Sequence, residues 1–353
     1  MKKIIIGKNL LSKINKMFDF SRFSKIVILT DVNIQISLMN QISQVEKSLH
    51  KKLIKIIIPA GEKEKNIETV KKIWKKMFKF GLDRKSLLIN LGGGVICDMG
   101  GFAASTFMRG IEFINIPTTL LAQVDASVGG KTGIDFESIK NAIGVFKKPS
   151  AVIIDIATLE TLPKRELIAA FAEIIKHGVI SGREHFDLVT SKKPEEFSHE
   201  ELITIIKESI KIKSKIVKKD PKESGLRKIL NFGHTIGHAI ESLSWRTDKP
   251  LLHGEAVAIG MMIESNLAGN NESILACKVR TRMAEKIRKA VVNAGLPTEI
   301  EMTSSEEILK IILTDKKNIK GEILMSLPKR IGKIIPNIKI SLEKIKNVID
   351  HYN

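Results

Sequence analysis

The stretch LLINLGGGVICDMGGFAA, residues 87–104, decides the architecture. Leu87 to Leu91 is a short, almost wholly apolar run, the pattern of a strand buried on both faces. It passes straight into Gly92-Gly93-Gly94-Val95 and then into a helical segment containing Asp98, Gly100 and Gly101. Strand, glycine turn, helix lets bare backbone approach a diphosphate at a helix N-terminus. The spacing is not GxGxxG, because Cys97 stands where the last glycine belongs, and tight packing of helix on strand explains the glycines about as well.

Outward from this stretch lie other short β-branched runs: Ile26 to Leu29, Ile54 to Ile58, Phe113 to Ile116 and Val152 to Ile156. They read as buried strands. Between the second and Leu87, residues Ile67, Val70, Ile73, Trp74, Met77 and Phe78 recur at helical spacing, with Asn66 as N-cap and Gly81 just past the end. Strand, helix, strand predicts a doubly wound sheet. From about Pro163 onward the periodic segments are long and helical: 163–180, 200–219, 226–244, 254–268 and 276–294. The expectation is an α/β, Rossmann-like N-terminal domain over 1–160 and an all-α C-terminal domain over 161–353, with the catalytic cleft between them. Asp31 and Asn33 follow the first strand and Pro59-Ala60-Gly61-Glu62 the second, at the sheet edge where ligands bind.

A chain of 353 residues accommodates two such domains. Its 43% apolar and 27% charged residues, with 24 Gly and 10 Pro, exclude disordered and collagen-like classes. Lys and Arg number 58 against 39 Asp and Glu, a net +19 that suits nucleic acid, an anionic membrane or an anionic small substrate. Aromatics are only 5% and Tyr352 is the sole tyrosine, which leaves little for base stacking and argues against nucleic acid. The run Lys207, Lys211, Lys213, Lys215, Lys218, Lys219 interleaves with isoleucines and reads mostly as a solvated helix face. Cys97 and Cys277 form no CxxC, which excludes a cysteine zinc cage and fits a reducing compartment. No signal h-region follows Met1, and apolar runs such as Ala256 to Ile263 stop short of about 18 residues. A soluble, cytoplasmic protein without membrane or nucleic-acid partners is expected.

Two further stretches carry chemistry. Ile116-Pro117-Thr118-Thr119 and Gln123 to Gly133 are rich in hydroxyls and glycine and contain Lys131, which suits phosphate or sugar recognition; the GGKTG tail lacks P-loop spacing, and Lys140-Asn141 follows in a loop. In Asn231-Phe232-Gly233-His234-Thr235-Ile236-Gly237-His238-Ala239-Ile240-Glu241, His234 and His238 stand four apart on one helical face, and His253 follows in His253-Gly254-Glu255-Ala256. Three of eight histidines within 20 positions favour a metal. Spacing alone proposes His234, His238 and Glu241 as ligands, by the logic of HExxH. Glu173, an acid in an otherwise apolar helix, should be paired.

Taken in order, PxGExxK (59–65), GGGVxxDxxGFxA (92–104), RGI (109–111), PTTLLAQVDASVGGKTG (117–133), KNxIG (140–144), AEIIKHG (172–178), GLRxxLNFGHTxGHAIE (225–241) and LHGEAV (252–257) resemble the motifs of the 3-dehydroquinate synthase family, across Asp31 to about Lys317. The resemblance implies a metal, Zn or Co, held by Glu173, His234 and His253. It implies a phosphate site from Lys131, Asn141, Asn231 and His238, with Arg109 reaching in from the other chain of a homodimer. Arg227, Lys213 and Lys316, with Lys317 adjacent, match positions holding a substrate carboxylate, and Asp125 and Lys176 match residues lining the reacting ring. NAD would meet Asp31, Asn33, Glu62, Lys65, Gly93, Gly94, Val95, Asp98, Thr118, Thr119, Lys140 and Thr161. Two positions depart from the pattern: His177 and Phe107 stand where tyrosine is common.

The implied substrate, 3-deoxy-D-arabino-heptulosonate 7-phosphate, is anionic at both ends, so two cationic clusters are required. The implied reaction is transient oxidation by NAD, β-elimination of phosphate, reduction, and ring opening with aldol closure. Another sugar phosphate cyclase, such as 2-deoxy-scyllo-inosose synthase, would need no carboxylate clamp. An NAD- and metal-dependent polyol or glycerol-phosphate dehydrogenase would need neither the clamp nor the Lys131 loop.

Overall fold

The computed structural model describes residues 3–137, 139–269, 277–300, 304–314 and 323–352. The chain divides into two compact units, Met1–Pro163 with His199–Lys207, and Lys164–Ser198 with Glu208–Asn353.

The first unit runs β1 (Ile4–Gly7), β2 (Ile26–Asp31), α1 (Val32–Ser37), α2 (Met39–Ser48), β3 (Ile54–Ile58), α3 (Ile67–Lys79), β4 (Leu87–Gly92), α4 (Gly94–Thr106), β5 (Glu112–Pro117), β6 (Lys131–Phe136), β7 (Ile139–Phe146) and β8 (Ala151–Asp155). Six strands form a parallel sheet in the order β1-β8-β5-β4-β2-β3. Period-two alternation divides its side chains between two cores. Val27, Leu29, Leu88 and Phe113 face one way and pack with Val70, Ile73 and Met77 of α3 and with Ile96, Met99 and Ala103 of α4. Ile26, Ile28, Leu87, Ile89 and Leu91 face the other way, onto Ile42 and Val45 of α2 and onto Leu11 and Ile14. Helices on both faces make the sheet doubly wound. Asn66 caps α3, its side chain accepting from Thr69 N, and Gly81 follows the helix at φ +64°. The packing account of the glycines holds at Gly100, where a Cβ would lie 2.1 Å from Asn90 Oδ1.

In the second unit come α5 (Lys164–Ser181), α6 (Arg183–Val189), α7 (His199–Lys219, whose start belongs to the first unit), α8 (His234–Ser244), α9 (His253–Gly269), α10 (Cys277–Asn293), α11 (Ser305–Thr314), β9 (Ile323–Arg330), β10 (Lys333–Ile340) and α12 (Leu342–Ile349). The unit is mostly helical and also carries the antiparallel hairpin β9–β10.

Two local expectations are corrected. Lys140 and Asn141 lie not in a loop but in β7, which pairs antiparallel with β6. The segment 226–244 is not one helix: a 3₁₀ turn, Leu226–Asn231, ends at Phe232, Gly233 turns left-handed at φ +81°, and α8 begins at His234. Lys316 and Lys317 lie outside the described residues. No helix among the described residues is long and apolar enough to cross a membrane.

Candidate functional site

In the first unit the chain order reverses between β3 and β4, on either side of β2, so a topological switch point lies where β2 and β4 end. Asp31 closes β2 and caps α1, accepting from Asn33 N and Ile34 N at 2.9 Å each, while burial raises its carboxyl above the ordinary value. Gly93 is the N-cap of α4, with Gly94 and Val95 in its first turn and no side chain capping it. Lys65 is buried, and its Nζ donates to Asp98 Oδ2 and Asn141 Oδ1, both at 2.7 Å. Burial alone would lower this ammonium, but Asp98, Glu62 and Asp135 hold it charged and above its usual range. Lys140 Nζ stands 4.0 Å from Glu62 Oε1. Asn141 adopts φ +50° and donates its backbone N–H to Asp135 Oδ1 at 2.6 Å, a partner that sequence reasoning missed.

Thr118 and Thr119 follow β5, Asp125 sits half-buried in the π-turn Ala122–Ala126, and Thr161 ends the 3₁₀ turn after β8. Exposed Lys131 opens β6. Arg109 does not join these groups. It lies beyond the C-terminus of α4, before β5 starts, and is exposed. Met108, Arg109 and Gly110 have φ of +49°, +71° and +113°, a turn strained at its two non-glycine residues.

The second unit holds the histidine cluster. His234, His238 and His253 each bring a ring nitrogen within 4.8 Å of the others. Their ring centroids are 5.1 to 5.7 Å apart. His253 reaches the cluster because α9 starts hard against α5: a Cβ on Gly254 would lie 1.8 Å from Ala169 O. Arg165 of α5 fixes that start by pairing with Glu255, at 2.7 Å from each carboxylate oxygen. α8 has no capping side chain of its own. Fully buried Glu264 of α9 supplies the acceptors instead, taking Gly233 N at 2.6 Å and Ile236 N at 3.2 Å.

Buried Glu173 of α5 meets this cluster. Its Oε1 lies 3.4 Å from His234 Nε2 and 3.9 Å from His253 Nε2, and its Oε2 is 2.5 Å from Nζ of buried Lys176, which also donates to Leu230 O at 2.7 Å. Both imidazoles turn Nδ1 to an acceptor, Phe232 O at 3.2 Å for His234 and Glu241 Oε2 at 3.1 Å for His253. A neutral ring that donates from Nδ1 leaves a lone pair on Nε2. With both rings neutral, two lone pairs face a carboxylate oxygen that accepts no hydrogen bond. Acceptors do not converge on an acceptor without a cation, and two imidazoles with a carboxylate are a borderline donor set suited to Zn or Co. Two ligands, each about 2.1 Å from a tetrahedral cation, stand about 3.4 Å apart. The residues fit such an ion. Glu241, which spacing alone proposed as a ligand, faces the opposite ring nitrogen of His253.

The unit also holds buried Lys213 and Arg227. Arg227 donates its backbone N–H to Asp220 Oδ2 at 3.0 Å and Nη1 to Pro221 O at 2.8 Å, and Asn231 Nδ2 donates to Glu223 Oε1 at 2.7 Å.

A doubly wound unit with a glycine turn at its switch point, in one chain with a helical unit that sets two imidazoles on a carboxylate, is the pattern of a class of metal- and nucleotide-dependent enzymes. Residues 55–169 match the 3-dehydroquinate synthase N-terminal pattern and residues 170–318 the C-terminal one. A 3-dehydroquinate synthase of Thermodesulfovibrio yellowstonii is 44% identical over 99% of this chain and 96% of its own length. The chain belongs to the 3-dehydroquinate synthase family. Among solved structures, 2-epi-5-epi-valiolone synthase from Streptomyces hygroscopicus subsp. jinggangensis, with NAD+ and Zn2+ bound, matches with a TM-score of 0.87 at 25% identity, over 99% of this chain and 96% of that one. A 2-deoxy-scyllo-inosose synthase complexed with carbaglucose-6-phosphate, NAD+ and Co2+ matches with a TM-score of 0.89 over the same shares of the two chains; at 23% identity this likeness bears on the fold.

Proposed function

We propose that the protein converts 3-deoxy-D-arabino-heptulosonate 7-phosphate to 3-dehydroquinate and phosphate, with NAD and one divalent metal, Zn or Co, as a cytoplasmic homodimer. The observation that carries this reading is the convergence of His234 Nε2 and His253 Nε2 on the buried carboxylate of Glu173, in a chain whose family is shown. These three residues would hold the metal. When bound, the cation supplies Lewis acidity toward neighbouring hydroxyls, and NAD supplies a reversible hydride acceptor. Asp31, Asn33, Glu62, Lys65, Gly93, Gly94, Val95, Asp98, Thr118, Thr119, Lys140 and Thr161 would hold the NAD.

The chain's other groups bind and orient. Lys176 pairs with buried Glu173 and donates to Leu230 O. Lys213, Arg227 and Lys316 take the substrate carboxylate. Lys131, Asn141, Asn231 and His238, with Arg109 of a second copy, take the phosphate, and Asp125 and Lys176 line the ring. Two anion sites of this kind are what separates this substrate from an uncharged polyol. Purified protein given the heptulosonate phosphate, NAD and Zn should release phosphate and dehydroquinate at many equivalents per NAD, without sustained NADH absorbance. Steady NADH accumulation matched to product would mark a dehydrogenase, and turnover of a sugar phosphate lacking the carboxylate in its place would mark another cyclase.

A further inference from the structure

We infer that Glu241 is a positioning residue for the metal site, orienting His253 so that Nε2 faces Glu173. This rests on the reading of His253 as a ligand. His253 is the first residue of α9, its side chain is 30% exposed, and its ring packs beside those of His234 and His238. Glu241, on α8, is 3% exposed, and its Oε2 stands 3.1 Å from His253 Nδ1. A carboxylate can only accept there, so the contact holds a proton on Nδ1 and, in the neutral ring that a metal ligand requires, leaves the lone pair on Nε2, the atom 3.9 Å from Glu173 Oε1. His234 obtains the same orientation from a backbone carbonyl, Phe232 O. A backbone acceptor is fixed by the fold, whereas the one serving His253 is a side chain that a single substitution removes. Outer acceptors of this kind orient ligating imidazoles and raise their basicity.

The test is titration of metal-free protein with Co2+ against a competing chelator, read in the visible Co2+ absorption. Glu241→Asp keeps the charge but withdraws the oxygen, and Glu241→Ala removes both. Each should weaken Co2+ binding about 10–100-fold and shift the absorption bands, while Glu241→Gln, which keeps an acceptor oxygen in reach, should stay within about three-fold of the unaltered protein. Wild-type Co2+ affinity and spectrum in Glu241→Asp, or in Glu241→Ala should the former not fold, would overturn the inference. So would a loss in Glu241→Gln as deep as in Glu241→Asp, since that assigns the effect to charge. His253→Ala is titrated alongside: if it binds Co2+ as the unaltered protein does, the ligand reading itself fails and takes this inference with it. Loss in His253→Ala with none in Glu241→Asp refutes the positioning role alone.

Discussion

His234 and His238 stand four residues apart on α8; His234 Nε2 lies 3.4 Å from Glu173 Oε1, and the family resemblance assigns His238 to the phosphate. The two should therefore respond differently to removal. His234→Ala is expected to purify with little metal, as are Glu173→Gln and His253→Ala. His238→Ala should keep near-normal metal and raise the turnover barrier by on the order of 1.5–3 kcal/mol, the scale of a hydrogen bond to a charged group. Metal analysis of the folded variants decides this, and equal metal loss from His238→Ala would restore the spacing-based ligand set. Asp220 offers a second single-residue test. Backbone N–H groups of Arg227 and Gly225, then of Ser224, hold its carboxyl well below the ordinary carboxylate range against the opposing effect of burial. A folded-state value below the unfolded value of about 4 means that the carboxylate stabilises the loop fully above about pH 4 and loses that effect as pH falls through the lower folded value. Asp220→Asn should melt earlier than the unaltered protein at neutral pH, with a gap that narrows steadily as pH is lowered below about 4. A gap that does not change with pH would remove Asp220 as the group responsible.

At the scale of elements, Glu264 replaces a local cap with one from a neighbouring helix. Glu264→Gln keeps one acceptor oxygen for two N–H groups, and a stranded buried N–H costs about 1–3 kcal/mol. Against a total stability of about 5–15 kcal/mol the protein should fold but melt earlier, and because α8 begins at His234 it should also bind Co2+ more weakly. Thermal melts beside Co2+ titration test both, and an unchanged melting temperature would refute the capping role. This capping was not legible in the sequence, since Gly233 is no capping residue and Glu264 is 31 positions away. Five of the six sheet strands, β2, β3, β4, β5 and β8, were legible because each is a short, mostly apolar run, and the glycine turn because it directly follows one. The β6–β7 hairpin was not: β7 has exposed Ile139, Ile143 and Phe146, and glycines at 133 and 144 face one another across the pair, so neither alternation nor a turn dipeptide marks it. The break in 226–244 was hidden because the apolar spacing continues through Phe232 and only backbone geometry ends the turn. In the site, spacing brought out the histidines, whereas the pairing of Glu173 with Nε2 and of Glu241 with Nδ1 depends on how α5, α8 and α9 pack.

Over the whole molecule, a net +19 suits an anionic partner but does not say where one binds. Lys176, Lys213 and Arg227 are buried cations of the second unit, and a buried cation calls for a compensating charge, which Glu173 supplies for Lys176. Arg109 is the outlier. It is exposed, on a left-handed turn beyond the C-terminus of α4, whereas Gly93 and Lys65 are associated with that helix's N-terminal half. One chain thus displays Arg109 apart from its own glycine turn, and the family resemblance implies that it completes a site in a second copy. If so, inactive Arg109→Ala and inactive Glu173→Gln chains should complement each other. In a hybrid dimer the Arg109→Ala chain keeps its Glu173 and receives Arg109 from its partner, so one of two sites is complete. Random exchange at equal amounts makes half the dimers hybrids, giving about one quarter of wild-type activity. The measurement is phosphate release after mixing, with chain exchange followed independently by differently tagged subunits. Demonstrated exchange without recovered activity would show that Arg109 serves no site but its own.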